Sequence, residues 1–264
     1  VAELLVSDSV LEFPERTVLL VRGSLAALSS SALLLSKISE IRKAKTTADF
    51  FDNLNIEEQR AWSTDLLQRA NFTASDDSPY VCILDTGVNA EHPLLKPACS
   101  AADLSVVDPT WDAADSDGHG TEMAGIALWG DLTDPLSQLS QVEIRHRIES
   151  SKLLRYPGDN EGKHLGNITS DGVSEVEIKN PVRKRVYALA LSALESRDRG
   201  RPSTWSSTVD ALASDYLGEN QYRRLLLVCA GNADASLSNL LEYPKYNEVQ
   251  DIHDPAQSWN ALTI

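Results

Sequence analysis

The sequence has too few basic residues to suggest a nucleic-acid-binding protein. Lys and Arg number 24 against 39 Asp and Glu in 264 residues, which gives a formal net charge of −15. Phosphate backbones are bound by clustered Lys and Arg, so this acidic balance argues against nucleic acid as a partner. Polypeptides and small molecules remain as candidate ligands.

Membrane-spanning and secretory patterns are also missing. No apolar run approaches the roughly eighteen residues that cross a bilayer, and the amino terminus lacks the basic, apolar and small-residue regions of a signal peptide. The cysteines, Cys82, Cys99 and Cys229, are odd in number and two lie in apolar runs, which predicts buried, reduced thiols. We therefore expect no membrane partner and a cytoplasmic, bacterial-type location. The chain begins with Val and stops within the apolar run SWNALTI, so we expect it to be a piece of a longer protein.

From residue 80 onward, strand-like apolar runs alternate with helix-like segments. Nearly continuous apolar strands are typical of a parallel sheet, so the predicted fold class is α/β, a parallel sheet with helices on both faces. Ligands of such sheets gather at the carboxyl ends of the strands, where Asp85, Ser192 and Asn232 are expected. Residues 150–166 are predicted to form a loop. The candidate strands are YVCILDTG, VEIRHRI, RVYALALSA and RRLLLVCAGN, and the candidate helices are TEMAGIALWG, ITSDGVSEVEI and STWSSTVDALASDYLG.

The amino-terminal region has a different pattern, a strand followed mainly by helices. Residues 17–23, TVLLVRG, predict a strand, and residues 26–45 carry Leu and Ile at helical spacing. One or two further amphipathic helices are predicted in residues 46–72. The polar residues 73–79 are the expected linker, so the predicted domains are residues 1–75 and 76–264.

Asp85 ends an apolar strand and precedes a Thr-Gly turn, which would bring its carboxylate out at the sheet edge. A simple turn-forming or helix-capping role is one alternative. A phosphatase-type nucleophile is disfavoured because that chemistry needs a second acid two residues later, where Gly87 stands. The downstream DSDGHG imitates a calcium loop, with Asp115 and Asp117 at alternate positions. Such a loop needs a Glu at its twelfth position, which is Ile126 here, so the calcium loop is disfavoured as well.

His119 stands between Gly118 and Gly120 at the start of an apolar helix. Small neighbours leave the ring accessible and the helix fixes it, as a general base requires. A carboxylate on Nδ1 would leave Nε2 free to take a proton, so Asp85 is the expected partner. A zinc site at HGTE is disfavoured, because the sequence offers no second histidine at helical spacing and no further ligands beside His119 and Glu122. The remaining histidines, expected at surface or capping positions, are His92, His146, His164 and His253.

Three ordered motifs resemble those of the subtilisin-like serine peptidases. YVCILDTGVNAEHPLL is similar to their aspartate motif, DGHGTEMAGI to their histidine motif, and LLLVCAGNADA to the strand that ends in their oxyanion asparagine. The resemblance covers residues 80–264. It implies that Asp85 orients His119 and that His119 acts as general base and then general acid. It also implies that the amide of Asn232 donates to the oxyanion of the reaction.

The same resemblance implies a polypeptide substrate bound in extended form. RVYALALSA resembles the strand that pairs with the substrate backbone, with Leu191, Ser192 and Ala193 as candidate contacts. No cofactor is implied; structural calcium occurs in the family, but no residues here identify a site for it. Because the family often carries an inhibitory prosegment, residues 1–75 are either a prosegment or an accessory domain. The oligomeric state is left open.

The family's nucleophile is not recognisable in this sequence. It lies in a glycine, threonine, serine turn, and nothing between Asn232 and Ile264 matches it; Ser236, Ser238 and Ser258 are better explained as loop or capping residues. We therefore expect a serine endopeptidase truncated before its catalytic serine, with this chain alone inactive. The alternative is a pseudopeptidase or peptide-binding module. A nucleotide-binding domain is disfavoured because DTGVNAEH has no glycine-rich phosphate cradle.

Overall fold

The structure is a computed structural model that divides into two compact units, Val1–Asn53 and Leu54–Ile264. The first unit contains a two-stranded antiparallel ladder in which β1 (Leu5–Glu12) pairs with β2 (Thr17–Arg22). The predicted strand in residues 17–23 is present as β2, whereas β1 was not among the predicted elements. Helices α1 (Leu25–Ser29) and α2 (Asp49–Asp52) follow. The residues described are 4–12, 14–30, 35–41, 49–193, 200–216, 224–233, 236–242 and 244–264.

The long helix predicted over residues 26–45 is not continuous in its described part. Helix α1 ends at Ser29, and residues 36–41 form turns and irregular backbone. The hydroxyls of Ser29 and Ser30 donate to the carbonyls three residues earlier, at 3.2 and 2.6 Å. Serines that bond to the backbone in this way compete with helix continuation. The rest of the predicted helix, residues 31–34 and 42–45, lies outside the described residues.

A parallel sheet forms the centre of the second unit. Six of the described strands make it up, with β4 in its interior and every pair of neighbours parallel. The strands of this unit are β3 (Ala70–Phe72), β4 (Tyr80–Asp85), β5 (Leu104–Val106), β6 (Val142–Ile144), β7 (Arg147–Lys152), β8 (Arg185–Leu189), β9 (Leu225–Val228) and β10 (Leu262–Thr263). The order in the sheet is β10-β9-β8-β4-β7-β5, and β3 pairs separately with β6.

Some helices of the second unit begin at side-chain caps. The first of them starts with a capping box, in which the side chain of Asn55 and that of Glu58 each accept a main-chain N–H of the other residue. Within the described parts of the chain, no helix combines the length and the apolar character needed to cross a membrane. The helices are α3 (Ile56–Arg69), α4 (His119–Trp129), α5 (Thr133–Leu136), α6 (Leu165–Lys179), α7 (Thr204–Ser214), α8 (Leu237–Leu240) and α9 (Lys245–Glu248), with a 3₁₀ turn at Ala101–Asp103.

The sheet is buried on both faces. Along β4, Ile83 packs into one apolar cluster, which includes Ala124 of α4, while Cys82 and Leu84 pack into the other, which includes Val173 of α6. Successive side chains of a strand point to opposite faces, so a strand buried on both sides is expected to be mostly apolar. The predicted α/β class, a parallel sheet with helices on both faces, is confirmed.

The predicted boundaries around β7 need correction. The run VEIRHRI, predicted as one strand, contains the whole of β6 and the start of β7, and β7 continues to Lys152. The predicted loop over residues 150–166 therefore begins only after Lys152, and it ends where α6 starts at Leu165. Ser150, Ser151 and Lys152 are all 0% exposed, although they are polar. Hydrophobicity alone cannot detect such a strand end, because its burial depends on tertiary contacts.

A buried network of ion pairs lies near the amino-terminal ends of the strands. Glu149 of β7 accepts from Arg185 of β8 at 2.6 Å and from Arg183 at 2.7 Å. Arg185 also donates to the carbonyls of Val176 and Asn180 at the end of α6, at 2.8 and 2.7 Å. The network joins two strands to a helix at the end of the sheet away from Asp85.

Candidate active site

Asp85 is the last residue of β4 and lies at the carboxyl edge of the sheet. Its side chain is 0% exposed, and its Oδ1 accepts the main-chain N–H of Thr86 at 2.7 Å. The carbonyl of Asp85 accepts the N–H of Leu153 at 2.8 Å, which fixes the backbone. Burial raises the pKa of the Asp85 carboxyl, and the hydrogen bonds from His119 and Thr86 oppose this rise. The carboxylate is thus held away from water in a fixed orientation.

His119, the first residue of α4, contacts this carboxylate. Its Nδ1 lies 2.9 Å from Oδ1 and 3.0 Å from Oδ2 of Asp85, and the imidazole side chain is 40% exposed. Because an ionised carboxylate only accepts hydrogen bonds, the neutral ring carries its proton on Nδ1 and a lone pair on Nε2. Partial burial lowers the pKa of His119, but the hydrogen bond and charge of Asp85, with the charges of Glu122 and Asp117, raise it overall. The pair can therefore accept a proton at Nε2 and stabilise the resulting imidazolium.

A second carboxylate, Asp115, ties the start of α4 to the turn after β4. Its Oδ1 accepts from the Thr86 hydroxyl at 2.8 Å and from the N–H groups of Asp117 and Gly118 at 3.0 and 2.9 Å. Its Oδ2 accepts from the N–H and the hydroxyl of Thr121 at 2.8 and 2.6 Å. Partial burial raises the pKa of Asp115, but these hydrogen bonds outweigh that effect and lower it. Asp115 thus acts as a cap for the helix that carries His119.

Two glycines allow the start of α4 to lie close to the turn that follows β4. Gly118, directly before α4, has a φ of +109°, a conformation that strongly favours glycine. A Cβ added at Gly120 would lie 2.1 Å from the carbonyl oxygen of Gly87. The N–H of Gly120 donates to the Thr86 hydroxyl at 3.0 Å. The helix start and the turn after Asp85 therefore meet backbone to backbone, which brings His119 and Asp85 together.

Asn232 lies at the same edge of the sheet, shortly after β9. The backbone before it is fixed on two sides, because the N–H of Cys229 donates to the Leu189 carbonyl at 3.2 Å and that of Ala230 donates to the Ile264 carbonyl at 2.7 Å. Asn232 is exposed, and its side chain makes no hydrogen bond to any described residue, His119 included. Its assignment as an oxyanion donor stays a prediction.

The candidate substrate-binding residues, Leu191, Ser192 and Ala193, follow β8 and are half-buried. The N–H of Ala193 donates to the Asp254 carbonyl at 2.9 Å, so this donor is used within the chain. Burial raises the pKa of the Cys229 thiol, which follows the neighbouring strand β9. The pairing of this segment with a substrate backbone also stays a prediction.

The serines after Asn232 are placed away from the imidazole of His119. Ser258 donates to Asp210 of α7 at 2.7 Å, and the hydroxyls of Ser236 and Ser238 lie 3.2 Å apart. None of the serines in the described parts of the chain is hydrogen-bonded to His119. The described part of the chain therefore contains a hydrogen-bonded Asp–His pair with no serine bonded to the imidazole.

The prediction that His253 is a surface or capping residue is wrong. His253 is 2% exposed, and its ring packs under Gly231, where an added Cβ would lie 2.4 Å from the ring. Gly231 has a φ of +115°, so a glycine is favoured there for its backbone as well. His253 thus supports the backbone that leads into Asn232.

The sequence patterns did not identify two residues that bond to the backbone around the pair, namely Thr86 and Asp115. Asp115 was considered only as part of a calcium loop, and both of its oxygens instead accept hydrogen bonds from the chain. A polar residue within hydrogen-bonding reach of a helix start is the signal that could have identified it as a cap. Among the described residues, no group of three or more His, Cys, Asp or Glu side chains is arranged to hold a metal ion.

A buried carboxylate bonded to Nδ1 of an accessible histidine defines an acid–base pair of the hydrolase type. The chain belongs to the subtilase family of serine peptidases, peptidase S8, whose model matches residues 76–264. No curated protein sequence matches the chain.

Two solved structures are similar in fold. One is a lanthipeptide protease, at 18% identity and a TM-score of 0.45, with 84% of this chain and 60% of that chain covered. The other is the epidermin leader peptide processing serine protease from Staphylococcus aureus, at 18% identity and a TM-score of 0.43, with 80% of this chain and 53% of that chain covered. The chain thus spans less than two thirds of the length of either protein.

Proposed function

We propose that the protein containing this chain is a serine endopeptidase that hydrolyses peptide bonds. The contact of His119 Nδ1 with both oxygens of Asp85, at 2.9 and 3.0 Å, carries the proposal. Asp85 selects the tautomer in which Nε2 accepts the proton of an attacking serine hydroxyl. The same nitrogen then returns the proton to the leaving amine, while Asp85 stabilises the imidazolium between the two steps.

The nucleophile in this proposal is a serine outside the 264 residues. Two observations support this: the serines after Asn232 lack the expected turn context, and Ser258 is already hydrogen-bonded to Asp210. A serine that serves as nucleophile has to come within hydrogen-bonding reach of the base, which no described serine does.

Asn232 is proposed to stabilise the oxyanion that forms when the serine attacks. Its exposure at the carboxyl edge of the sheet and its lack of a hydrogen-bond partner among the described residues leave the side-chain amide free to donate. Such a donor typically contributes about 3 kcal/mol to lowering the barrier. An extended polypeptide substrate would pair with the backbone of Leu191 and Ser192, since the N–H of Ala193 is taken by Asp254.

The experiment is peptide hydrolysis by the full-length protein and three variants. His119→Ala should reduce kcat by about 10⁶-fold, and Asn232→Ala by about 10²-fold with little change in KM. His164→Ala is the matched control for the first change, because His164 is exposed and stands before α6, apart from the pair. It should retain full activity.

A well-folded full-length protein that binds peptides and does not cleave them would contradict the proposal and support the alternative, a pseudopeptidase. Equal loss of activity in His119→Ala and His164→Ala would also contradict it, because the effect would then not depend on the pair. A cytoplasmic location and activity without a cofactor stay predictions from the sequence.

A further inference from the structure

Lys152 is a buried lysine directly beside the candidate active site. It ends β7, where its register partner on β4 is Asp85. Lys152 is 0% exposed, and its ammonium donates to the carbonyls of Asp112 and Ala114 at 3.1 and 2.6 Å and to the hydroxyl of Ser116 at 2.6 Å. An ammonium group has three donors, and burial is tolerated only when they are satisfied. All three are satisfied here.

The three acceptors belong to one loop, residues 112–116, which leads into α4. The loop packs against the turn at Gly87, where an added Cβ would lie 2.8 Å from the carbonyl oxygen of Ala113. It also carries Asp115, whose carboxylate bonds to the first turn of α4. The position of His119 therefore depends on the path of this loop.

We infer that Lys152 is a positioning residue: its ammonium holds residues 112–116 in the path that keeps His119 against Asp85. Its hold on the loop is through two carbonyls and a hydroxyl, and no described Asp or Glu side chain is ion-paired with it. The consequence for catalysis rests on the proposed function. The consequence for the contact between Asp85 and His119 does not rest on that function, and NMR can measure it directly.

Two simpler roles for Lys152 predict different results. If Lys152 only stabilises the fold, its loss lowers the free energy of unfolding and leaves the contact between His119 and Asp85 intact. If it acts only through its charge, removing a cation raises the pKa of His119. In the native protein, the contact with Asp85 raises the pKa of His119. If Lys152 positions the loop, its loss loosens this contact, and the pKa of His119 falls.

The experiment is NMR of His119 in the full-length protein, with the hydrogen-bonded Nδ1 proton and the ring pKa as readouts. Lys152→Met removes the ammonium and keeps the length of the side chain. Lys96→Met is the matched control, because Lys96 is exposed and pairs with Glu91 on the surface. The inference predicts loss or broadening of the Nδ1 proton signal and a lower pKa of His119 in Lys152→Met, with no change in Lys96→Met.

A milder variant keeps the test decisive if Lys152→Met does not fold. Ser116→Ala removes one of the three acceptors and leaves the ammonium in place, and it should weaken the Nδ1 proton signal of His119 to a smaller extent. An unchanged signal in the folded variant of Lys152 would overturn the inference, as would a raised pKa of His119. If Ser116→Ala folds and Lys152→Met does not, an unchanged Nδ1 proton signal of His119 in Ser116→Ala would overturn the inference as well.

Kinetics of the full-length protein then test the catalytic consequence. A displacement of His119 by the order of 1 Å should reduce kcat of Lys152→Met by about a hundredfold with KM little changed. If wild type does not hydrolyse peptides, the proposed function fails while the NMR result still decides the role of Lys152. If wild type is active and Lys152→Met retains its kcat, the inference fails and the proposed function stands.

Discussion

Replacing Gly120 by Ala should destabilise the protein and disturb the candidate active site together. The added Cβ would lie 2.1 Å from the Gly87 carbonyl oxygen, about 1.3 Å short of the 3.4 Å at which ordinary contact begins. Both groups are backbone, so the start of α4 has to move. Overpacking costs about 1 to 3 kcal/mol, and losing the buried bond from Gly120 N–H to Thr86 costs about 1 to 3 kcal/mol more. A gain of about 1 kcal/mol in helix propensity offsets part of this, so we expect a net loss of about 1 to 5 kcal/mol.

Gly125→Ala is the matched control, since Gly125 lies on the same helix and an added Cβ there meets nothing within 4 Å. It should stabilise the chain by about 0.5 to 1 kcal/mol. The assay is urea unfolding of both variants, read as a shift of the midpoint at constant slope. Because the moved backbone carries His119, the Nδ1 proton signal should weaken in Gly120→Ala only. Equal stability of the two variants, with that signal intact in both, would refute the close contact.

Two further predictions concern charge. Asp85→Asn should lower kcat of the full-length protein by about 10⁴-fold. It should also move the acid limb of the pH–rate profile to lower pH, because the hydrogen bond and charge of Asp85 are what mainly raise the pKa of His119. A profile that does not move would contradict the pairing of Asp85 with His119. Because the pKa of His119 is raised in the folded protein, its protonation stabilises the fold fully at pH values below the pKa of the unfolded chain. This stabilisation is lost as the pH rises through the folded pKa. Between these two pKa values, wild type should therefore lose stability relative to Asp85→Asn. Arg185→Met should lower the free energy of unfolding by about 3 kcal/mol, because it removes a partner of the buried Glu149. The Nδ1 proton signal of His119 should persist in this variant, since the network lies at the other end of the sheet, and its loss would show that the two ends are coupled.

The sheet was predictable where the strands are apolar throughout. β4 is buried on both faces, while β8 and β9 bury alternate residues, and all three appear in the sequence as short, largely apolar runs between turn residues. The end of β7 was not predictable in this way. Ser150, Ser151 and Lys152 are buried polar residues, and the burial of Lys152 depends on a loop that is distant in sequence and supplies its acceptors.

The candidate pair was predictable because its residues occur in recognisable local patterns. Asp85 ends an apolar run, and His119 stands between glycines at a helix start, so each position is marked by its neighbours. The supports of the pair carry no such mark. Asp115 acts through hydrogen bonds to Thr86 and Thr121, and that combination exists only after the two segments have come together in the fold.

The most direct test of the account is labelling of the full-length protein with a fluorophosphonate, which reacts with activated serines. Mass spectrometry would locate the modified residue in wild type and in His119→Ala. The account predicts a labelled serine beyond residue 264 in wild type and no labelling in the variant. Absence of labelling in a well-folded wild type, or labelling that persists without His119, would contradict the claim that Asp85 and His119 activate a serine nucleophile.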